Sequence, residues 1–120
     1  MSQLFIKNNP NKFDKDSHVV YEYTCKKDLC QQSKNTYIGQ TTVLLKQRAI
    51  MHAQKGAILN HNMNKHNIKI KTKEILEDTA ILFKSQCRNE LCIAESLFIK
   101  QLRPIMNEQN EGFNRVLKIF

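Results

Sequence analysis

The sequence predicts an α+β domain, a small three-stranded antiparallel or mixed sheet flanked by helices. Three observations carry that expectation. Residues 17–25 and 35–39 are rich in β-branched and aromatic side chains over strand-length runs. The stretches 42–55 and about 81–102 carry helical patterns. The order of elements, β-β-α-β-α, suggests a sheet with helices packed against it.

The elements follow in order. Residues 1–16 are polar around Asn8-Asn9-Pro10-Asn11 and read as a flexible arm whose Leu4, Phe5 and Ile6 could dock. Residues 17–25, SHVVYEYTC, are the first strand, and the charged stretch 26–34 is a loop. Residues 35–39 form the second strand. Thr41 or Thr42 is placed to cap a helix running to about Lys55, before Gly56. Residues 58–67 are a short irregular or helical piece. Ile68, Ile70, Ile75 and Leu76 mark a third strand within 68–79, and a long helix spans about 81–102 before Pro104. The compact domain is therefore 17–107, with a tail at 108–120.

The most informative stretch is Tyr37-Ile38-Gly39-Gln40-Thr41, followed by Arg48 and His52. It reads as a strand turning into a helix. Arg48 and His52 lie four residues apart and share a helix face, so that face and the strand's end can converge. Tyrosine, arginine and histidine in a protein of formal net charge +8 and pI near 9.5 suggest phosphate chemistry. Nucleic acid is the first polyanion to consider. A membrane surface fits less well, because there is no basic amphipathic helix, lipidation motif or membrane-spanning run. With 41% hydrophobic residues the chain can hold a compact core, and 25% charged is ordinary.

Glu95 is the unusual acid. Its neighbours one helical turn away are Leu91, Cys92, Phe98 and Ile99, and an ionised carboxylate among apolar side chains is costly unless compensated. Either a divalent cation compensates it, or it sits at the stripe's edge and reaches water. A two-metal nuclease needs several clustered carboxylates, and the other acids sit in loops, on polar faces or near the ends. One cation is the economical reading. Cys92 is expected to pack in the core beside Glu95, and Cys87 to be exposed.

Taken together, Val19-Val20-Tyr21, Tyr37-Ile38-Gly39, Arg48, His52, Glu95 and Pro104-Ile105-Met106-Asn107 resemble the GIY-YIG nuclease family over roughly residues 18–107. The chain is most similar to the branch attached to Penelope-like retroelements. That branch shares Tyr37-Ile38-Gly39-Gln40-Thr41, the continuation Leu45-Lys46-x-Arg48-x-x-x-His52, a cysteine pair between the tyrosine motifs and a later pair of histidines. The resemblance implies that Tyr37 or Tyr21 helps activate the attacking water as general base. It implies that Arg48 opposes charge on the phosphate, and that His52 contacts the phosphate or relays a proton. Glu95 would hold one Mg²⁺ or Mn²⁺, and Asn107 would brace the site. Val19 replaces the glycine of the first motif, and Tyr23 competes with Tyr21 because both lie on one strand face. Gln40 stands where some relatives carry a basic residue, so no catalytic role is assigned to it.

Cys25, Cys30, His61 and His66 could form a closed Cys2His2 shell for structural Zn²⁺, pinning the loop after the first strand to the segment after the first helix. Free cysteines with surface histidines are the competing reading, and a Cys25–Cys30 disulfide is third. Cys87 and Cys92 lie about 140° apart on a helix and would not chelate together. Without a signal sequence, a reducing intracellular compartment is expected (the nucleus in a eukaryote, otherwise the cytoplasm), not secretion.

Candidate phosphate contacts are Lys26, Lys27 and Lys34 in the cysteine loop and Lys65, Lys69, Lys71 and Lys73 after the helix. Arg88, Lys100 and Arg103 flank the long helix. The alternative for these is a solvated surface. Nothing encodes base readout. The expected function is a divalent-metal-dependent DNA endonuclease that nicks one strand with weak sequence preference. Self-association or a larger multidomain element would serve double-strand cleavage. The rivals are a non-catalytic nucleic-acid-binding module and a zinc-stabilised interaction domain.

Overall fold

A computed structural model describes residues 16–27, 30 and 35–107. The arm residues Leu4, Phe5 and Ile6, residue Lys34 and the tail after 107 lie outside the described residues. Three strands, β1 (Val19–Thr24), β2 (Thr36–Thr41) and β3 (Thr79–Lys84), form an antiparallel sheet in the order β2-β1-β3. Four helices accompany it: α1 (Leu45–Gln54), α2 (Ala57–His66), α3 (Thr72–Glu77) and α4 (Arg88–Leu102). A further helical turn occupies 105–107. The result is the expected small α+β domain.

β1 is central, so both its faces are buried. Val19, Tyr21 and Tyr23 point to one side, where they pack with Tyr37, Leu45, Ala49, Ala57, Ile58, Ile75 and Leu76. Val20 points to the other side and packs with Ile38, Leu91 and Ala94, backed by Phe98, Ile99 and Leu102. Alternation along β1 thus divides the core into two layers, with α1, α2 and α3 on one face of the sheet and α4 on the other.

Gly56 joins α1 to α2 at φ +108°, a backbone conformation that favours glycine. Asp16 also belongs to the fold. Its carbonyl accepts from the Leu45 N–H at 2.7 Å, and its carboxylate pairs with Lys84 at 2.6 Å.

The third strand lies later than the sequence predicts. Residues 72–77 are helical, and the strand is 79–84. Ile75 and Leu76 are buried against α1 as adjacent residues of a short helix. Its start is held by Glu74, which accepts the Lys71 N–H at 3.2 Å, and at its end Thr79 donates to the Ile75 carbonyl at 2.5 Å. The long helix accordingly begins at Arg88, not near 81. Residues 79–84 pair with β1, and Leu82 is an extra residue between the partners of Val20 and Tyr21. Thr41 stays in β2 and does not cap α1. Its hydroxyl accepts the Val43 N–H at 3.1 Å, and the N-cap position is Leu44.

Candidate functional site

The register of the sheet positions the first half of the site. Tyr21 lies opposite Gly39. A Cβ on Gly39 would fall 2.6 Å from the Tyr21 hydroxyl oxygen, 2.8 Å from Cζ of that ring and 3.0 Å from Cε2 of Tyr37. The absent side chain therefore lets the Tyr21 ring lie across β2. From there its hydroxyl reaches Nε2 of His52 at 2.7 Å. Tyr37 shares this sheet face, with its ring 6.5 Å from Tyr21 and 5.2 Å from His52.

Helix α1 supplies His52 because Leu45, Ala49 and His52 form its inward stripe. Arg48 is half-buried beside that stripe, and its positive charge acts on the Tyr21 hydroxyl. Burial, reinforced by the Arg48 charge, pushes the His52 imidazole down to about 3, so it is neutral at ordinary pH. Burial, with Tyr37 next to it, raises Tyr21 well above the ordinary phenol value, and Arg48 opposes the shift.

The other half comes from the opposite sheet face. Alternation along β2 sends Ile38 and Gln40 toward α4. Gln40 Nε2 donates to Glu95 Oε1 at 3.0 Å and lies 3.3 Å from Cys92 Sγ. Glu95 is half-buried, and its charge is among those felt at the Tyr21 hydroxyl. Tyr21, Tyr37, Arg48 and His52 are thus drawn together on one face of the outer strand, and Glu95 stands across that strand against Gln40. Tyr23 is not among them; its hydroxyl faces Asn62 Nδ2 at 3.4 Å.

Asn107 sits behind this group. Its side-chain oxygen accepts the Ile38 N–H at 2.7 Å, and its amide donates to the Ile38 carbonyl at 2.8 Å. Those are outward-pointing backbone groups of an edge strand, so Asn107 stands in for the missing neighbour strand. It fixes the backbone between Tyr37 and Gly39.

Two expectations about α4 change. Cys92 is exposed instead of core-packed, because the buried stripe runs through Leu91 and Ala94. Gln40, passed over in the sequence, holds Glu95. The available signal was its parity with Ile38 in β2, which aims it at the helix bearing the acid.

A second cluster lies where β1 ends. Cys25 and Cys30 meet His61 and His66 of α2, with all four ligand atoms within 4.8 Å of one another. Sγ to Nε2 distances are 3.4 Å for Cys25–His66, 3.4 Å for Cys30–His61 and 3.3 Å for Cys30–His66. A tetrahedral zinc with ordinary Zn–S and Zn–N bonds separates such atoms by about 3.6 Å. Both cysteines are free thiols, so no disulfide links them. Burial lowers both imidazoles, His61 to about 4, and raises the Cys30 thiol. Neutral imidazoles offer the lone pairs that a metal requires. Among the described residues this is the one group of three or more Cys, His, Asp or Glu arranged to hold a metal, and Cys87 with Cys92 does not form another.

The basic candidates divide between two regions. Lys27 and Lys65 stand near the Cys–His cluster, where their charges help lower His61. Lys26 is paired at 3.9 Å with Asp78, and Lys69 and Lys71 are exposed on the segment after α2. Arg88 and Arg103 flank opposite ends of α4, about 20 Å apart along its axis. Among the described residues, no helix is long and apolar enough to cross a membrane.

The chain matches no protein-family model, no curated protein and no solved structure at a significant level.

Proposed function

We propose that this protein is an endonuclease of the GIY-YIG type, nearest the Penelope-like branch, that hydrolyses DNA phosphodiester bonds with one divalent cation. The observation that carries the reading is the gathering of Tyr21, Tyr37, Arg48 and His52 on one face of β2, with Glu95 held by Gln40 across the same strand. A core that needed only packing would not gather two phenols, a neutral imidazole and a guanidinium on one strand face.

In this reading Glu95 holds Mg²⁺ or Mn²⁺, which supplies an acidified water and a polarised phosphoryl oxygen. The chain's own residues do the rest. Arg48 faces the negative charge that develops on the phosphate. The Tyr21 hydroxyl donates to Nε2 of the neutral His52, which directs an oxygen lone pair toward the attacking water to accept its hydrogen bond and orient it. Tyr37 packs edge-on against His52 and closes the site on that side. Asn107 keeps Tyr37 and Gly39 in register.

The same reading gives the Cys25, Cys30, His61 and His66 cluster a structural Zn²⁺, which suits a reducing intracellular compartment. One such domain nicks one strand; two copies, or a larger element, would make a double-strand cut. The basic groups around the cluster and along α4 would contact phosphates without reading bases. The test is zinc-loaded protein on supercoiled plasmid with Mg²⁺ or Mn²⁺. Conversion to open circles that chelator prevents is the expected result. A protein that binds the plasmid without cutting it would instead be the non-catalytic, zinc-stabilised module that the Cys–His cluster favours as second reading.

A further inference from the structure

Gln40 and Glu95 lie 55 residues apart in sequence and meet through one hydrogen bond between β2 and α4. The Gln40 amide nitrogen has two acceptors, Glu95 Oε1 at 3.0 Å and Cys92 Sγ at 3.3 Å. These acceptors are three residues apart on α4 and so share a helix face. An amide carries two N–H bonds in a fixed fork, and two acceptors on one helix face fix its direction. The strand below is held in turn by Asn107 through the Ile38 backbone. The strand therefore aims the Gln40 amide at the Glu95 carboxylate.

We propose that Gln40 is a positioning residue that holds Glu95 in its cation-binding orientation and so sets the affinity for the catalytic ion. The proposal rests on the reading of Glu95 as cation ligand. A glutamate that must gather itself around an ion gives up rotamer freedom on binding. A glutamate already hydrogen-bonded has given up much of that freedom beforehand. The donor is neutral, which matters. An amide orients the carboxylate and leaves its charge intact. Cys92 serves as the second acceptor that keeps the amide from swinging away.

Gln40→Met tests this, because it keeps the length and packing of the side chain and removes the donor. Mn²⁺ binding to zinc-loaded protein is followed by the loss of the free-ion electron paramagnetic resonance signal. Nicking is measured against Mn²⁺ concentration in parallel. The expected result is a rise of about five- to tenfold in half-saturating Mn²⁺ in both measurements, the effect of one hydrogen bond to a charged group at a half-buried position. Saturating Mn²⁺ should restore most of the nicking rate, and the melting temperature should stay near the parent's. Gln40→Ala should show the same shift, which covers the case in which methionine packs badly. Glu95→Ala separates the two layers of argument. If Glu95→Ala loses Mn²⁺ binding while both Gln40 variants titrate like the parent, the positioning role is overturned and the nuclease reading stands. If the Gln40 variants lose nicking that no Mn²⁺ concentration restores, positioning through Glu95 is also the wrong account. If Glu95→Ala binds Mn²⁺ and nicks like the parent, or if the parent binds no Mn²⁺, both proposals fall together.

Discussion

The hydroxyl of Tyr21 lies 2.7 Å from Nε2 of His52, in a gap over Gly39 that only a glycine leaves open. The two residues come from the central strand and the first helix, and the contact is buried. Both partners are held neutral there, the imidazole pushed down and the phenol pushed up by burial.

The pairing predicts an unusual pH response. Burial and the Arg48 charge hold His52 near 3, below the value of about 6.5 for a free imidazole. The unfolded chain therefore takes up a proton at His52 that the folded chain refuses between those values. The resulting stability is fully present above about pH 6.5 and is lost as the pH falls toward 3. For Tyr21 the folded value is raised, so its contribution is present below about pH 10 and is lost as the pH rises further. Nuclear magnetic resonance titration of the His52 ring should show no protonation between pH 5 and 8, on the order of the shift given above. A ring that titrates near 6.5 would contradict the buried, neutral assignment.

Gly39→Ala should be among the most damaging small substitutions. The new methyl group would meet the Tyr21 hydroxyl and ring and the edge of Tyr37 at once. Overpacking of this kind costs about 1–3 kcal/mol, and the Tyr21 ring must leave its position over β2. Denaturant unfolding should report the loss, and nicking should fall at least about a hundredfold, the scale seen when a catalytic group is displaced by an ångström. A stable, fully active Gly39→Ala protein would mean that Tyr21 does not work from this position.

Asn107→Ala should separate bracing from chemistry. It strands the buried N–H and C=O of Ile38, each now satisfied by the Asn107 side chain. Two buried backbone groups without partners cost about 2–4 kcal/mol together. The melting temperature should drop accordingly. Amide exchange should quicken at Ile38 and spread along β2, because the edge strand has lost its substitute neighbour. Unchanged exchange at Ile38 would rule out the bracing role.

The four cysteines should divide into two kinds. Cys87 and Cys92 are exposed, whereas Cys25 and Cys30 are buried within the Cys–His cluster. A thiol reagent should modify Cys87 and Cys92 promptly in zinc-loaded protein and reach Cys25 and Cys30 only after chelation. Elemental analysis should find one zinc per chain, lost in Cys30→Ser. Zinc removal should lower the melting temperature by about 10 °C or more, since binding to a closed site is coupled to folding. Purified protein with no zinc and four equally reactive thiols would leave the cluster as ordinary packing.

The first half of this fold is legible in the sequence, and the second half much less so. β1 and β2 announce themselves because Tyr and Val runs alternate between two buried layers. α1 is equally clear, since Leu45, Ala49 and His52 repeat at the helical period. β3 is hidden for physical reasons. It is an edge strand whose outer residues Ala80, Phe83 and Lys84 are exposed, and the bulge at Leu82 breaks its alternation. Its Ala, Leu and Lys are good helix formers, so pairing with β1 overrides local preference. Ile75 and Leu76 mislead in the opposite sense, because two adjacent buried residues fit a strand as easily as a six-residue helix packed on α1. The residues proposed for the site stand in the sequence as an ordered set. The Gln40–Glu95 contact depends on which face of β2 meets α4, and that is decided only by the assembled sheet.

The most direct test compares parent, Glu95→Ala and Arg48→Ala on supercoiled plasmid, all zinc-loaded and shown to share one melting temperature. The account predicts that the parent produces open circles with Mg²⁺ or Mn²⁺, that chelator stops it, and that neither variant cuts. Variants that nick at the parent's rate, or a parent inert with every divalent cation tried, would contradict it.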